Sequence, residues 1–231
     1  GQIMTGLMMR ANDTRRMASL KFFELLYPDH PYGRSTIGYP ETIATMGRDE
    51  MVDYHGRFFG PRDMIVTVVG AIGKDEALER ITAVFGDWQN PKQETLPAVP
   101  SSLRPAQELR LHHPITDKSQ ADIILGLPGP LRSAPDYLDA SLMNTILGVF
   151  GMMGRIGQTV REEQGLAYYA YSRLQGGLGP SPWLASAGVA PDKVALAVDC
   201  IKDEISRIQN EPVAAEELAD CQAYRTGSLP V

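Results

Sequence analysis

The sequence changes character between Thr159 and Ser172, where it reads TVREEQGLAYYAYS. A charged run typical of a helix meets Gly165 and then gives way to alternating small and aromatic residues. Glycine is well suited to the position after a helix end, which puts Arg161 in the last turn, where a cation stabilises the negative helix end by ~0.3–1 kcal/mol. In the strand expected to follow, one face carries Leu166, Tyr168, Ala170 and Ser172. Spacing alone therefore favours a structural role for both Arg161 and Tyr168.

Metal binding is the next chemistry to consider, because the chain has four histidines: His30, His55, His112 and His113. A catalytic zinc site needs three protein ligands. None of these histidines has a second histidine or a carboxylate three or four residues further on along a credible helix. His112 and His113 are adjacent and would point to opposite faces of a strand. We therefore expect packing or surface roles for all four and no metal site in this chain.

Other catalytic signatures are missing from the sequence. Residues 68–76, VVGAIGKDE, follow a predicted strand but lack the third glycine of a dinucleotide fingerprint and the Lys-Ser/Thr pair of a phosphate loop. No Gly-x-Ser-x-Gly elbow occurs. The two cysteines, Cys200 and Cys221, lie in predicted helices, and we expect buried or half-buried thiols rather than a disulfide framework.

Composition sets broad limits on the class of protein. The chain has 231 residues, of which 43% are hydrophobic, enough for one large domain or two small ones. A net charge of -6 without a basic stripe argues against a nucleic-acid partner. No run approaches the ~20 apolar residues of a membrane span, and IMTGLMM lacks the flank and cleavage site of a signal peptide. The chain opens and closes in the middle of a pattern, so we expect a piece of a longer protein, with a cytoplasmic or a periplasmic location both open.

Hydrophobic spacing predicts the elements that position these residues. The predicted helices are Met17–Leu26, Pro40–Met46, a helix capped by Asp49 that runs to Phe58, Asp75–Phe85, Lys193–Gln209 and Val213–Tyr224. The predicted strands are Asp63–Gly73, residues 108–113, residues 121–129, Leu166–Leu174 and Trp183–Val189. Between Tyr137 and Val160 a long helical pattern contains Gly148, Gly151, Gly154 and Gly157. Each glycine costs ~1 kcal/mol relative to alanine inside a helix, so we expect a helix, a Gly-rich break and a second short helix.

Four prolines between Asn90 and Pro105 predict a linker between two lobes. Helices and short strands alternate without βαβ regularity, which favours an α+β fold of two lobes, each a sheet covered by helices on one face.

Several motifs, taken in order, resemble the M16 metallopeptidases, the pitrilysin, insulinase and mitochondrial processing peptidase family. They are HPYGRSTIGYPETI, YHGRFFGPRDMIVTVVGAI, AVFGDW, GRIGQTVREEQGLAYYAYS, GPSPWLASAGV and AAEELADCQAYRTGSLP. The resemblance covers nearly the whole chain. It implies two-layer lobes of mainly antiparallel sheet covered by helices, with residues 1–92 as the remainder of a first lobe, 93–105 as a Pro-rich linker and 106–231 as a second, truncated lobe.

The resemblance also implies a function. M16 peptidases hold zinc in an inverted His-x-x-Glu-His motif plus a later glutamate, and that motif does not occur here, so zinc would belong to the parent protein and not to this chain. The family uses an arginine and a tyrosine seven positions apart, which Arg161 and Tyr168 match. By resemblance Arg161 holds the substrate's backbone carbonyl and Tyr168 donates a hydrogen bond to the developing oxyanion. Gly176 and Gly177 are expected to form a flexible substrate-binding loop. The glycines from Gly148 to Gly157 depart from the family's usual serine–arginine–leucine run.

The resemblance implies, as partners, a peptide substrate and the zinc-bearing lobe or subunit, in a homo- or hetero-oligomer. Two alternatives stay open at this point. The parent protein could be a catalytically inactive M16-like companion subunit or scaffold, or the chain could be a small-molecule enzyme with its own pocket. If the first lobe's other strands are absent, the apolar run Met64–Val69 is expected to pair with another copy or to be covered by helices.

Overall fold

The computed structural model describes residues 1–102 and 104–228, so Leu103 and residues 229–231, the end of the predicted second lobe, lie outside the described residues. The chain forms two compact units. One, the sheet unit, contains residues 1–39 and the chain from Val99 onward. The other, the helical unit, contains residues 40–98.

A three-stranded antiparallel sheet lies at the centre of the sheet unit. Its strands are β1 (Ala121–Pro128), β2 (Ala167–Leu174) and β3 (Pro182–Val189), and β3 lies between the other two. The register pairs Ala121 with Val189 in β1 and Ala170 with Ala187 in β2. These strands match three of the predicted ones closely.

Helices from the second half of the chain cover one face of this sheet. They are α6 (Tyr137–Gly148), α7 (Phe150–Gly157) and α8 (Val194–Asn210), and a π-helical turn, Gln158–Glu163, continues α7. Helix α9 (Ala215–Gly227) packs on α6. The buried core between sheet and helices contains Leu147, Ile156, Val160, Ala170, Ala185, Ala187, Val189, Ala197 and Ile201. Alanines on the strands allow the helices to approach the sheet closely, and the longer aliphatic side chains fill the space between them.

The Gly-rich break predicted between Tyr137 and Val160 is confirmed. Inside α7 the backbone leaves helical geometry from Gly151 to Gly154, where Gly151 has φ 63° and Gly154 has φ 67°. A Cβ on Gly148 would collide with the backbone of Ser172 on β2. The glycines therefore allow both a sharp turn and a close helix–strand contact, which offsets their cost in helical propensity.

The N-terminal helices belong to the same unit. They are α1 (Gln2–Ala11) and α2 (Thr14–Leu26), and the carboxylate of Asp13 caps α2 by accepting the Arg16 N–H at 2.8 Å. Helix α2 packs on β1, where a Cβ on Gly126 would meet the ring of Phe22. The sheet thus carries helices on both faces, whereas the sequence suggested one covered face.

The helical unit contains α3 (Pro40–Thr45), α4 (Arg48–Phe58) and α5 (Lys74–Phe85). Helix α4 begins one residue after Gly47, whose N–H donates to the Glu50 carboxylate at 2.9 Å, so the prediction of Asp49 as the cap is wrong. The described chain from 40 to 98 contains no buried side chain.

Two predicted strands do not form in the described residues. Residues 63–73 are extended but pair with no other strand, and the side chains of Ile65 and Val69 are 89% and 92% exposed. Residues 108–113 are likewise irregular. A strand needs a partner to satisfy its backbone N–H and C=O groups, and alternation of residue types along one segment does not supply that partner. Within the described residues no helix covers Met64–Val69, so that alternative is wrong, whereas pairing with another copy stays a prediction.

The predicted division into lobes at residues 1–92, 93–105 and 106–231 stays a prediction. The compact units follow a different boundary, because α1 and α2 belong with the sheet.

Candidate functional site

Arg161 lies in the π-helical turn that follows α7. This turn is anchored in the core by Val160, which is fully buried and whose carbonyl accepts the N–H of Leu166 just before β2. The side chain of Arg161 is partly exposed, and its Nε lies 3.4 Å from the carboxylate of Glu162. A π-helical turn is rare and often marks a functional site. The prediction that Arg161 lies in the last turn of a helix is confirmed.

The chain reverses between this turn and β2. The Leu166 N–H donates to the carbonyl of Val160 at 2.9 Å, and the Gln164 N–H donates to the carbonyl of Thr159 at 3.1 Å. Gly165 has φ 58°, which confirms its role after the helix end. These contacts fix the start of β2 directly beside the turn that carries Arg161.

Tyr168 is the extra residue of a β-bulge. Ala167 pairs with Val189 and Tyr169 pairs with the preceding residue, Gly188, so Tyr168 has no partner of its own on β3. Its side chain is 83% exposed. The predicted face of Leu166, Tyr168, Ala170 and Ser172 is therefore wrong at its start, because the bulge shifts the alternation by one residue. Bulges commonly re-aim a side chain next to a functional site.

The exposed Tyr168 lines a shallow hollow of about 220 Å³ at the end of the sheet. The hollow is lined by Ser119, Gln120, Leu166, Tyr168, Gly188, Val189 and Ala190. Within the described part of the chain the Tyr168 hydroxyl has no hydrogen-bond partner, so its O–H donor is available to a ligand.

The neighbouring tyrosine behaves in the opposite way. The Tyr169 hydroxyl donates to Asp122, and the Arg15 guanidinium stacks 4.4 Å from the Tyr169 ring centre. Burial, together with the contact to Asp122, raises the pKa of Tyr169 above its ordinary value. Tyr169 is therefore a structural tyrosine, and the bulge separates it from a free one at position 168.

Gly176 and Gly177 lie in the loop between β2 and β3, at the end of β2 opposite to Tyr168. A Cβ on Gly176 would collide with the Tyr137 hydroxyl, and one on Gly177 with the Ser181 hydroxyl. Both contacts are with the ends of side chains, so close packing favours glycine at these two positions without requiring it. The structure does not bring them together with Tyr168, since ~3.3 Å per residue of strand separates the two ends of β2, and a substrate-binding role for them stays a prediction.

The loop is held by the segment that contains His30. The Tyr27 hydroxyl donates to the Pro180 carbonyl at 2.5 Å, and the Gly179 N–H donates to the Tyr32 hydroxyl at 2.9 Å. His30 is buried, accepts the Tyr32 N–H at Nδ1 and lies 2.9 Å from the Pro100 carbonyl at Nε2. These bonds give His30 the packing role predicted for it.

Sequence reasoning missed two features of this site. The first is the bulge, for which the available signal is Gly188, because a glycine inside a strand often marks a bulge or a close approach of another backbone. The second is the buried carboxylate of Glu204, which accepts the Thr159 hydroxyl at 2.7 Å from α8. Glu204 lies on the apolar stripe of α8 between Ile201 and Ile208, and a lone acid on such a stripe is the available signal.

The described residues do not fit a zinc centre. Nowhere in residues 1–102 and 104–228 do three or more His, Cys, Asp or Glu side chains come together as a metal site. Both cysteines are free, and burial raises the pKa of each thiol, which disfavours the thiolate that zinc requires. Within the same residues no helix is both long and apolar enough to cross a membrane.

Comparison with known proteins agrees with the fold and the motifs. Residues 45–224 match the family model described as the peptidase M16 inactive domain. Since this match covers most of the chain, the chain belongs to the M16 peptidase family. The matching model describes an inactive M16 domain, and relatives that match this chain are named zinc proteases.

Relatives and solved structures extend this result. An uncharacterized zinc protease of Mycobacterium leprae is 27% identical over 227 residues, which covers 98% of this chain and 50% of the relative. The crystal structure of a peptidase M16 inactive domain from Pseudomonas fluorescens matches with a TM-score of 0.89 at 23% identity, over 98% of this chain and 54% of that one. A protease from Helicobacter pylori matches with a TM-score of 0.83 at 20% identity, over 98% and 56% of the two chains. The chain spans about half the length of the curated relatives it matches.

Proposed function

We propose that this chain is the substrate-gripping, non-zinc portion of a zinc-dependent endopeptidase. The observation that supports this most directly is the bulge at Tyr168. It turns one tyrosine of β2 outward into a hollow, with a free hydroxyl, while the next tyrosine is buried and hydrogen-bonded. A strand built only for packing would not need this break in its pairing.

The two side chains have complementary donors. The Arg161 guanidinium is always charged and carries several N–H donors in a fixed plane, which suits a peptide carbonyl. The Tyr168 O–H can donate to the oxyanion that forms when the scissile carbonyl becomes tetrahedral. Removal of one such donor typically lowers kcat by about 10²–10³-fold.

A substrate peptide would reach this site along β2. This strand is at the edge of the sheet, since the order of strands is β1, β3, β2. An extended peptide can add to such an edge through backbone hydrogen bonds. Tyr168, on the edge strand itself, would then lie beside the added backbone.

Zinc would be held by another part of the parent protein, because the residues described here do not fit it. The relatives are named zinc proteases, and each is about twice as long as the matched region. The proposed partners of this chain are accordingly a peptide and a zinc-bearing M16 lobe or subunit, and this chain alone is expected to hydrolyse nothing.

The test is a substitution in the full-length parent protein. Tyr168→Phe is expected to lower kcat for a peptide substrate by about 10²-fold or more while the bound zinc stays unchanged. Tyr54→Phe, at an exposed tyrosine of α4, is the matched control and should leave the rate unchanged. Chelator-sensitive hydrolysis that is equal in the parent and in Tyr168→Phe would remove Tyr168 from the mechanism.

A catalytically inactive companion subunit is the second candidate, favoured by the description of the matching family model as an inactive domain. In that case the full-length parent, purified with zinc in the buffer, would bind peptide without cutting it and without stoichiometric zinc. Measuring both the zinc content and the rate of peptide hydrolysis of the full-length parent separates the two candidates: bound zinc with hydrolysis supports the peptidase, and neither supports the inactive companion.

A further inference from the structure

A buried carboxylate lies behind the turn that carries Arg161. Glu204, on α8, is only 2% exposed. Its Oε1 accepts the Thr159 hydroxyl at 2.7 Å and the Arg207 guanidinium at 2.8 Å. Its Oε2 is buried and has no hydrogen-bond partner among the described residues.

This arrangement is poor as a device for stability alone. A buried carboxylate loses its hydration, and an oxygen left without a partner keeps that cost uncompensated. Hydrophobic residues of similar volume often replace buried ionic groups without loss of stability. The position is flanked on α8 by Ile201 and Ile208, so an aliphatic side chain there would extend the core. Two contacts distinguish Glu204 from such a side chain, one to Arg207 on the same helix and one to Thr159. The contact to Thr159 is the one that reaches the π-helical turn.

Thr159 is the second residue of the π-helical turn, two positions before Arg161. The carbonyl of Thr159 accepts the Gln164 N–H at the end of the turn, and the next carbonyl, that of Val160, accepts the Leu166 N–H at the start of β2. A side-chain bond at Thr159 therefore acts on the same few residues that set Arg161 against the bulge at Tyr168.

We propose that Glu204 is a positioning residue, which holds the π-helical turn through the Thr159 hydroxyl and so fixes the guanidinium of Arg161 relative to Tyr168. This inference rests on the proposed role of Arg161 and Tyr168 in peptide hydrolysis. Glu204 does not line the hollow, and its contact with the turn is to Thr159. Its effect on the rate passes through the position of Arg161.

The first experiment compares substitutions at Thr159 in the zinc-loaded full-length parent. Thr159→Val removes the hydroxyl at nearly equal volume, and Thr159→Ser keeps it. A displacement of about 1 Å can lower a rate by about 10²-fold, so Thr159→Val is expected to lower kcat by about ten- to a hundred-fold with little change in KM, and Thr159→Ser to restore it. Asp203→Asn changes the exposed acid next to Glu204 on α8 and is the matched control, with kcat unchanged.

A double-mutant cycle decides whether the effect passes through Arg161. If it does, Thr159→Val has no further effect on kcat in an Arg161→Ala background. If Thr159→Val lowers kcat by the same factor in both backgrounds, Thr159 acts on general stability and the positioning inference is overturned. If Arg161→Ala lowers kcat but Thr159→Val and Glu204→Gln both keep the parent rate, the inference is overturned while the proposed function stands.

Amide hydrogen exchange in the same full-length variants gives a readout that does not depend on activity. Thr159→Val is expected to speed exchange at Gln164 and Leu166 and to leave the amides of β3 unchanged. Equal protection at Gln164 and Leu166 in the parent and in Thr159→Val would show that the bond does not hold the turn. An unchanged rate in Arg161→Ala would overturn the proposed function, and exchange would then decide separately whether Glu204 orders the turn.

Discussion

The two compact units bury their apolar residues to very different extents. The sheet unit has a continuous core in which Ile156, Val160 and Ile201 are fully buried. The helical unit has helices of ordinary length but no buried side chain, and its apolar run Met64–Val69 is exposed. Both units have helices with one apolar side, so helical propensity does not explain the difference. What differs is whether a paired sheet is present for the helices to cover.

The polar contacts differ in the same way. In the helical unit Arg57 pairs with Glu94, and both side chains are about half exposed. In the sheet unit Arg155 pairs with Glu217 in a partly buried position between α7 and α9. Exposed ion pairs contribute little to stability. The comparison therefore predicts that the sheet unit accounts for most of the free energy of unfolding. The helical unit is expected to bury its apolar side chains against another surface.

The largest expected effect concerns the exposed run Met64–Val69. Extended, apolar and unpaired backbone is a template for pairing with another chain, so the chain alone is expected to associate. Ile65→Lys with Val69→Lys removes two apolar side chains, each worth ~1.5 kcal/mol or more when buried. Association should weaken by about a hundred-fold, measured as molar mass against concentration by light scattering.

The control for that change is Leu178→Lys. Leu178 is 92% exposed, like Val69, but lies in the loop between β2 and β3 of the sheet unit. It should leave the molar mass unchanged. A monomer at all concentrations in the unsubstituted chain would contradict the picture of a helical unit that needs a covering surface.

The second prediction compares equivalent truncations in the two units. Ile201→Ala on α8 empties a fully buried position and should lower the free energy of unfolding of the sheet unit by about 2–5 kcal/mol. Leu78→Ala on α5 changes an exposed side chain and should cost less than ~0.5 kcal/mol. Urea unfolding measures both, followed through exchange of the β3 amides for Ile201→Ala and of the α5 amides for Leu78→Ala. Equal effects would mean that Leu78 is buried in solution.

Much of the sheet unit could be predicted from sequence, because its information is local. The alternation in Leu166–Leu174 and Trp183–Val189 specified two strands, and the stripe from Val194 to Ile208 specified α8. The low helical propensity of the glycines between Gly148 and Gly157 was enough to predict the break in the helix. The Arg161 and Tyr168 pair came from resemblance, and no spacing rule singled it out.

The failures have one physical origin. The run Met64–Val69 has the composition of a buried strand, but a strand is defined by its neighbours, and one segment does not specify them. The bulge at Tyr168 is defined by the pairing of β2 with β3, where Ala167 and Tyr169 lie opposite Val189 and Gly188. The contact of Glu204 with Thr159 likewise joins two elements. Sequence patterns indicate which side chains are apolar enough to be buried. Which strands pair and which side chains touch depends on where the rest of the chain lies.

The third prediction compares the two ion pairs. Arg155 holds Glu217 by two hydrogen bonds, of 2.9 and 2.5 Å, and these lower the pKa of Glu217 below its ordinary value of 4.5. Glu217→Gln should cost about 1–2 kcal/mol at pH 7, toward the lower part of the range for bonds to charged groups, because 30% of the Glu217 side chain is still exposed. Glu94→Gln should leave the unfolding of the sheet unit unchanged.

The pH dependence gives the sign of this effect. A carboxyl whose folded pKa is lowered stabilises the folded state at pH values above its unfolded pKa, and that contribution is lost as the pH falls through the lowered value. The free energy of unfolding of the unsubstituted chain should therefore fall more than that of Glu217→Gln between pH 7 and pH values below 4.5. Parallel stability curves for the two proteins across that interval would mean that Glu217 is not held by Arg155.

The smallest predicted effect concerns helix starts in the two units. Asp13→Ala removes the carboxylate that caps α2, which packs on the sheet, and should lower the stability of the sheet unit by about 1 kcal/mol. Asp13→Asn keeps a capping oxygen and should cost much less. In the helical unit Glu50→Gln weakens the contact with the Gly47 N–H at the start of α4, yet the midpoint of sheet unfolding should not move. If Glu50→Gln shifts that midpoint as much as Asp13→Ala does, the two units unfold together. In that case the helical unit contributes to the stability of the sheet unit, and the contrast between an independent and a dependent unit is wrong.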